Sequence, residues 1–588
     1  MNIRKLLDWR KLLIYSHRWL GIGITVMFLV WTLSGVVLMY YGHPQITTGE
    51  RLLRLEPIDF STATITPAEA AAKAGFQAGR APYRVRLSMY NGRPVYRLAR
   101  VSIGNWSTVY ADTGEVLPRM GKEQAMEWMK RFAPEHASRM SYDAYLASPD
   151  EFTRIPTLAG YVPLHRIAMN DPAGTEYYIS EKSNDIVQKT DRKGRVLAIS
   201  GYILHNLFFF RQRTWWTPML DFIAWTAMLM VMTGIVVGIW RVALKPRFRH
   251  KGVRSYTPYS GWMKWHHYAG LIFGLFSISW ILSGMIPITT FPVPGWEQVA
   301  KRVESNGEGF IMGNPTVSPR STMTTEMARA ITGGPLNLQP LQIESMRSAI
   351  AKIRESFPPK ELELIQFRGE PYFLAYQPPA TQEQAEQWAT NNAINAVNLP
   401  QDNPHLFVSI RHPENGVIKS FGREVMEQAS REAMPNVPVL DREWLTDYDD
   451  YYHQTTTSFE LGRHKPAYVL PVLRVRYNDE NQTWLYFTPA LGQMVKFDKR
   501  DRANRWFYYG LHVMDFPGLF HRRPLWDFVT IALLAGLAAI SITTLWPAFR
   551  RLRRHAARGW KWIFRPAKLR TATRPGWALS GSDRAGGG

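Results

Sequence analysis

The sequence predicts an α+β membrane protein, in which four transmembrane helices form a bundle by parallel tandem duplication and carry two exported α+β domains. Three observations predict this fold class: four long apolar stretches, positive charge confined to certain connecting segments, and a set of motifs that occurs twice. A chain of 588 residues also exceeds the usual size of one compact domain. We therefore expect several folded parts.

Four stretches are long enough to cross a bilayer, which requires roughly 20 apolar residues in a helix. They contain no Asp, Glu, Lys or Arg and cover residues 19–41, 222–240, 265–291 and 528–549. The first stretch ends in bulky residues and not at a small-residue cleavage site, so we expect it to remain as a membrane helix.

The net charge of +23 could suit a nucleic-acid binder, so its location along the chain decides its meaning. Residues 1–18, 241–264 and 550–588 together hold 23 Lys or Arg and 2 Asp, and account for +21 of that charge. With four spans these three segments lie on one side of the membrane, as the positive-inside rule requires. We expect both termini in the cytoplasm, contact with membrane lipid, and no nucleic-acid partner.

The spans and the charge divide the chain into eight segments. They are the cytoplasmic N-terminus with the first span (1–41), an exported domain (42–218), the second span (219–240), a basic cytoplasmic loop (241–264), the third span (265–291), a second exported domain (292–524), the fourth span (525–549) and a basic cytoplasmic tail (550–588).

The motifs of the first half return in the second half. His17-Arg18-Trp19-Leu20-Gly21 and Trp31-Thr32-Leu33-Ser34-Gly35 correspond, at a constant offset of 249, to His266-His267-Tyr268-Ala269-Gly270 and Trp280-Ile281-Leu282-Ser283-Gly284. Before the second and fourth spans, Tyr202-x-Leu204-His205 matches Tyr509-x-Leu511-His512. Both halves start in the cytoplasm, so the repeats are parallel and equivalent residues should lie at equal depth.

The first exported domain combines one helix with hairpins. Thr66-Pro67-Ala68-Glu69 has the spacing of a capping box with Pro at the first helical position. Residues 84–89 and 95–101 flank an Asn91-Gly92 turn, a strong hairpin signal, and residues 106–111 and 115–117 flank a second turn. The second half carries a degenerate copy.

Residues 65–70, 92–96 and 109–116 resemble a PepSY domain. The His-Arg-Trp-Leu-Gly opening and the Leu-His element before the second span resemble the PepSY-associated transmembrane family, over about residues 10–550. That family includes haem-containing ferric siderophore reductases. The resemblance implies a bacterial inner-membrane protein with two large periplasmic PepSY-like domains and haem-dependent electron transfer.

The repeated histidines are the candidate haem ligands. In each half a histidine and two glycines share nearly one helical face: His17 with Gly21 and Gly35, and His266 with Gly270 and Gly284. A bis-imidazole haem requires one His from each of two facing helices and small residues beside the flat macrocycle. The chain has no Cys, which excludes c-type attachment and thiolate-held iron–sulfur clusters, so we predict non-covalent haem b.

Several assignments remain open. His267 rivals His266, although the alignment prefers His266. His205 and His512 form a second pair near the outer face, which either binds a second haem iron or packs the exported domain onto the membrane. The sequence therefore predicts either one haem or two. Two haems would form a path for electrons across the membrane. His43 ranks lower because Pro292 is its counterpart.

The expected function is transfer of electrons outward to reduce a ferric siderophore or another ferric chelate, docked at the periplasmic domains in a cleft between the two copies. This reading leans towards a membrane oxidoreductase. The sequence shows no nucleotide-binding fingerprint, so a quinol or a separate cytoplasmic reductase must donate the electrons. The alternative is a membrane-anchored PepSY module that binds or restrains a periplasmic peptidase.

Overall fold

A computed structural model describes residues 9–563, apart from 78–80, 102–103, 155–157, 159, 211–213, 286–323, 386–403, 454–468, 521 and 523. Parts of the predicted basic tail, the end of the predicted third span at 286–291, and Pro292 therefore lie outside the described residues.

Helices are distributed along the whole described chain. They are α1 (Trp9–Leu38), α2 (Thr48–Arg54), α3 (Pro67–Lys73), α4 (Lys122–Phe132), α5 (Arg192–Ala198), α6 (Trp216–Arg241), α7 (Trp262–Met285), α8 (Thr325–Thr332), α9 (Ile343–Arg354), α10 (Arg423–Ala433), α11 (Lys499–Asn504), α12 (Leu511–Val513) and α13 (Leu525–Ile563).

Four helices are long and apolar enough to cross a membrane, by length and composition: α1, α6, α7 and the Leu525–Ala557 part of α13. They contain the four predicted apolar stretches as far as the structure describes them, except that α1 ends at Leu38 and not at the predicted residue 41. Helix α1 begins at Trp9, before the predicted span, and α13 continues to Ile563. These extensions carry basic residues, whose long side chains can keep their charge in water while the helix continues.

The strands form antiparallel sheets. They are β1 (Arg84–Tyr90), β2 (Arg93–Val101), β3 (Gly104–Tyr110), β4 (Ser141–Leu146), β5 (Leu164–Ala168), β6 (Glu176–Ser180), β7 (Asp185–Thr190), β8 (Phe248–His250), β9 (Val253–Ser255), β10 (Glu361–Phe367), β11 (Glu370–Tyr376), β12 (His405–Ser409), β13 (Val417–Ile418), β14 (Val439–Leu445), β15 (Val472–Tyr477), β16 (Trp484–Thr488) and β17 (Gln493–Phe497).

One seven-stranded sheet joins strands of both predicted halves in the order β13-β12-β11-β10-β1-β2-β3. The join is the antiparallel pair β1–β10, in which Arg86 is opposite Glu363 and Leu87 is opposite Leu362. Apolar residues from both strands share one buried core. The expected cleft between the two copies is therefore wrong at this edge, because edge-to-edge pairing hydrogen-bonds the two strand sets into one sheet.

Two four-stranded sheets have the same sequential order, β4-β5-β6-β7 and β14-β15-β16-β17. Each is followed by a short helix and then by a π-helical turn, Ile199–Ile203 after the first and Arg505–Gly510 after the second. The segments before the second and fourth candidate spans thus contain π-helical turns, which are rare overall and often occur at functional sites.

The local predictions for residues 66–117, between α1 and α6, are mostly confirmed. Thr66 and Glu69 form the capping box of α3. Asn91 and Gly92 both have positive φ between β1 and β2, as a tight hairpin turn requires. The strand predicted at 115–117 is reduced to one bridge, between Val109 and Val116, because the chain soon turns away towards α4.

The chain forms two compact units. One consists of the described residues 9–29, 226–275 and 535–563, and it contains His17 and His266. The other consists of residues 30–225 and 276–534. It contains His205, His512 and the three larger sheets.

Candidate functional site

In the first unit, the imidazole rings of His17 on α1 and His266 on α7 have centroids 6.0 Å apart. Nδ1 of His17 lies 2.9 Å from the carbonyl oxygen of Met230 on α6. Nδ1 of His266 lies 3.2 Å from the carbonyl oxygen of Ile540 and 3.0 Å from Oγ1 of Thr544, both on α13. Four helices thus fix His17 and His266, which we call the inner pair after their predicted depth: two helices supply the imidazoles and two supply the groups that orient them.

These contacts determine the tautomer of each ring. A carbonyl oxygen can only accept a hydrogen bond, so Nδ1 of His17 and of His266 carries the proton. The lone pair is then on Nε2, and Nε2 of neither ring has a hydrogen-bond partner among the described residues. A neutral imidazole with a bonded Nδ1–H and a free Nε2 is the form that binds a metal.

The second unit contains a matching pair. The rings of His205 and His512 have centroids 6.1 Å apart, and Tyr508 stacks on His512 at 5.5 Å. Nδ1 of His205 lies 3.0 Å from Oγ of Ser34 on α1. Nδ1 of His512 lies 3.1 Å from the carbonyl oxygen of Trp280 on α7. Here too, within the part of the chain that is described, each Nε2 lacks a hydrogen-bond partner.

The outer imidazoles are neutral in this environment. Burial, reinforced by the neighbouring His512, lowers the pKa of His205 to about 3. Burial likewise lowers the pKa of His512 to about 4, against the opposing effect of the Trp280 carbonyl. Both rings therefore keep a lone pair at neutral pH, which a metal ligand requires.

The separation of each pair fits a shared iron atom. Two imidazole nitrogens bound to one metal from opposite sides, each at about 2 Å, place their ring centroids about 6.3 Å apart. The observed separations are 6.0 and 6.1 Å. Each pair therefore has the centroid separation that ligation of one iron atom by two imidazoles requires. A direct imidazole–imidazole hydrogen bond would require the Nδ1–H of one ring, which is already used.

The sequence predicts that all four glycines line the inner pair, but two of them lie beside the outer pair. A Cβ at Gly284 would lie 2.7 Å from Cε1 of His512, and one at Gly35 would lie 4.0 Å from Cε1 of His205. These two glycines therefore border the outer pair. A Cβ at Gly21 would meet only Sδ of Met230, at 3.9 Å, and one at Gly270 would meet nothing within 4 Å.

Sequence reasoning missed several residues that contact the imidazoles. Gly234 lies beside His17, and Thr544 beside His266. Counting from the matched Asp221 and Asp527, the counterpart of Gly234 is Ile540, so the repeat gave no signal for it. Ser34, in contrast, belongs to a motif that occurs in both halves. Its repetition could have indicated a hydrogen bond between this serine and a histidine.

The two other candidate ligands, His267 and His43, form hydrogen bonds with other groups. In His267, Nε2 lies 2.9 Å from the carbonyl oxygen of Gly238 and Nδ1 lies 2.6 Å from Oγ1 of Thr257, so both ring nitrogens are used. His43 is buried, its Nδ1 bonds to the carbonyl of Pro44, and its ring meets Tyr202 edge to face. Neither faces another histidine among the described residues.

Comparisons with known proteins do not assign this chain to a family. The chain matches no protein-family model and no curated protein. Within the described residues there is also no group of three or more His, Asp or Glu that could hold a metal ion by itself. The two histidine pairs are thus the candidate site, and haem ligation stays a prediction.

Proposed function

We propose that this chain is a membrane haem b protein that passes electrons outward and reduces a ferric chelate, such as a ferric siderophore. The observation that carries the proposal is a pair of neighbouring imidazoles that occurs twice, with centroids 6.0 and 6.1 Å apart and with each Nε2 free of hydrogen bonds within the described chain. Hydrogen bonding and separation both favour bis-imidazole iron ligation.

His17 with His266 would hold one haem, and His205 with His512 a second. When bound, each haem iron supplies one-electron redox chemistry between its ferric and ferrous states. The residues around the imidazoles orient them: the carbonyls of Met230 and Ile540 bind Nδ1–H in the inner pair. Hydrogen bonds of this kind to Nδ1–H fix the orientation of the ring and raise the basicity of Nε2, the nitrogen that would bind iron.

The reaction balances as a one-electron transfer. Each ferric ion in the chelate gains one electron and becomes ferrous. One quinol in the bilayer can reduce two ferric ions, because it loses two electrons and two protons on becoming a quinone; otherwise a separate reductase supplies one electron for each ferric ion. Apolar helices support placement in a membrane, since all four candidate spans are long and apolar enough to cross it. The positive-inside rule supports a cytoplasmic location for both termini and the loop that contains β8 and β9.

The proposal includes a tandem duplication with two periplasmic PepSY-like domains in a bacterial inner membrane. The repeated motifs support the duplication, and so does the equal strand order of the sheets β4-β5-β6-β7 and β14-β15-β16-β17. Each of these sheets leads through a π-helical turn towards a histidine of the outer pair.

A reduced-minus-oxidised spectrum and a pyridine haemochrome assay of the purified protein test the proposal. We expect a b-type spectrum and two haems per chain. H17A/H266A and H205A/H512A should each lose one haem, whereas the exposed control H412A should lose none. A protein without haem contradicts the proposal, and co-purification of a peptidase would then favour the alternative PepSY binding function.

Substrate reduction requires a separate test in proteoliposomes. With a reduced quinol in the bilayer, ferrous iron should appear outside and be trapped by a ferrous-specific chelator, at a rate that both double variants reduce at least tenfold. A haem-loaded protein that reduces no ferric chelate would leave the haem assignment intact and contradict the substrate class.

A further inference from the structure

A layer of charged side chains lies between the seven-stranded sheet and the turn that joins β6 to β7. On this face of the sheet, Arg86 of β1 is opposite Arg97 of β2, which is opposite Thr108 of β3. Directly opposite residues project from the same face of a sheet. The turn packs against them, since the carbonyl oxygen of Ser183 accepts hydrogen bonds from Nε of Arg97 at 2.9 Å and from Oγ1 of Thr108 at 3.0 Å.

Among the described residues, this layer holds four arginines and only three carboxylates. They are Arg51, Arg84, Arg86, Arg97, Asp185, Glu361 and Glu363. Arg84 and Glu363 pair through two hydrogen bonds of 2.6 and 2.7 Å, which leaves three arginines for two carboxylates. Asp185 lies 3.7–3.9 Å from each of these three arginines. Burial lowers the pKa of Arg97 against the opposing effect of Asp185, so the positive charge is incompletely compensated.

Three buried polar groups in this layer have no hydrogen-bond partner within the described chain. They are Nε of Arg86, Nε1 of Trp106 and Oγ of Ser183, on residues that are 7%, 5% and 0% exposed. Cζ of Arg86 lies 4.5 Å from the centre of the Trp106 ring. Trp106 is two residues from Thr108 on β3, so it shares the face that the Ser183 turn covers. The two nitrogens can only donate, and the hydroxyl is free to donate.

We propose that this layer binds a small monovalent anion, such as chloride, through Nε of Arg86, Nε1 of Trp106 and the hydroxyl of Ser183. An anion accepts hydrogen bonds from all three groups at once, and its single charge balances the excess positive charge. A water molecule would leave that charge in place and would bring two hydrogens that need acceptors of their own. The burial of all three groups restricts the ligand to a small ion.

The anion would stabilise the fold by mass action. Its three ligands come from β1, from β3 and from the turn after β6, which meet only in the folded chain. A ligand that binds the folded state alone raises the unfolding temperature in proportion to the logarithm of its concentration once the site is nearly full. This inference does not depend on haem.

The test measures thermal unfolding of the full-length protein in sodium chloride and in sodium gluconate at equal ionic strength. We expect a gain of a few degrees in chloride over gluconate, because gluconate is too large for the site. W106F, which keeps an aromatic ring but removes the N–H donor, and S183A should each weaken this chloride response. The control R119Q also removes an arginine charge, but from a side chain that is 70% exposed, and should keep the full response.

Bromide can take the place of chloride and locate the ion in crystals by its anomalous scattering. Its peak should lie in contact with Nε of Arg86 and Nε1 of Trp106. Equal unfolding temperatures in the two salts, or an unchanged chloride response in W106F or S183A, would overturn the inference. If W106F does not fold, S183A alone decides. A bromide peak in a protein whose stability does not respond to chloride would mark an adventitious ion only, and would overturn the inference as well.

Discussion

Gly234 on α6 lies directly against the imidazole of His17. A Cβ at this position would be 2.5 Å from Cε1 and 2.9 Å from Nδ1 of the ring. Contacts of under 3.0 Å are not tolerated without movement of one group, and the ring is held by its hydrogen bond to the carbonyl of Met230. The absence of a side chain at Gly234 therefore helps to set the position of His17.

We predict that G234A displaces His17 and loses the inner haem. Alanine favours a helix over glycine by about 1 kcal/mol, so the backbone of α6 should tolerate the change and the effect should come from the ring contact. The measurement is haem per protein, expected to fall from two towards one. G23A is the matched control, because a Cβ at Gly23 on α1 meets nothing within 4 Å. Equal haem content in the two variants would contradict the role of Gly234.

The sequence allowed much of the fold to be predicted. Each of the apolar stretches around Phe28, Met230, Ser277 and Leu537 lies in a long helix, because roughly 20 apolar residues without charge can satisfy their backbone in a bilayer only as a helix. The capping box at Thr66 was equally predictable, since it depends only on local hydrogen bonds.

The pairing of β1 with β10 could not be predicted in this way. It joins strands far apart in the chain, such as Val85 with Leu364, and edge pairing depends on the tertiary arrangement more than on local sequence. The contact between Gly234 and His17 could not be predicted for a related reason. It lies between two helices, and the repeat places Ile540, a residue of different size, at the matched position.

We predict that H266A loses a haem and that H267A does not. Both ring nitrogens of His267 are hydrogen-bonded, to Gly238 and Thr257, so this ring has no lone pair available for iron. H267A should instead destabilise the protein by roughly 1–3 kcal/mol, because it leaves buried partners unsatisfied. Haem content and thermal unfolding of both variants separate the two roles. Retained haem in H266A together with loss in H267A would reverse the assignment.

The ion pair between Arg51 and Glu361 should contribute to stability in a pH-dependent way. Two hydrogen bonds of 2.5 and 2.6 Å join them, and each side chain is 11% exposed. Burial alone would raise the pKa of Glu361, but the charges of Arg51 and Arg86 hold that pKa well below its usual range. A depressed carboxyl pKa contributes stability above the unfolded-state value of about 4.3, and this stability is lost as the pH falls below it.

E361Q should therefore lower the free energy of unfolding by roughly 3–5 kcal/mol at neutral pH, as expected when one partner of a buried pair is removed. Thermal unfolding at several pH values should show a constant difference from the unsubstituted protein between about pH 5 and 8, and a smaller one below about pH 4. The control is E127Q, which removes an exposed pair with Arg131 and should cost about 0.5 kcal/mol or less. A difference that grows on acidification would contradict the assigned role of Glu361.

Substitution of Gly284 and of Gly270 should have different effects. Gly284 leaves space for a protein side chain, whereas Gly270 is predicted to leave space for a bound ligand. A Cβ at Gly284 would collide with His512 at 2.7 Å, so G284A should disturb the outer pair even before any cofactor binds. A Cβ at Gly270 would meet no protein atom within 4 Å, so G270A should not destabilise the haem-free protein and could stabilise it by up to about 1 kcal/mol through helix propensity. If the macrocycle lies against this face of α7, as the sequence predicts, the added methyl group should still lower haem occupancy of the inner site. Unfolding of the haem-free protein and haem titration of each variant provide the two readouts. Full haem occupancy in G270A would remove Gly270 from the binding site, whereas impaired occupancy without loss of stability would identify a contact that only the bound haem makes.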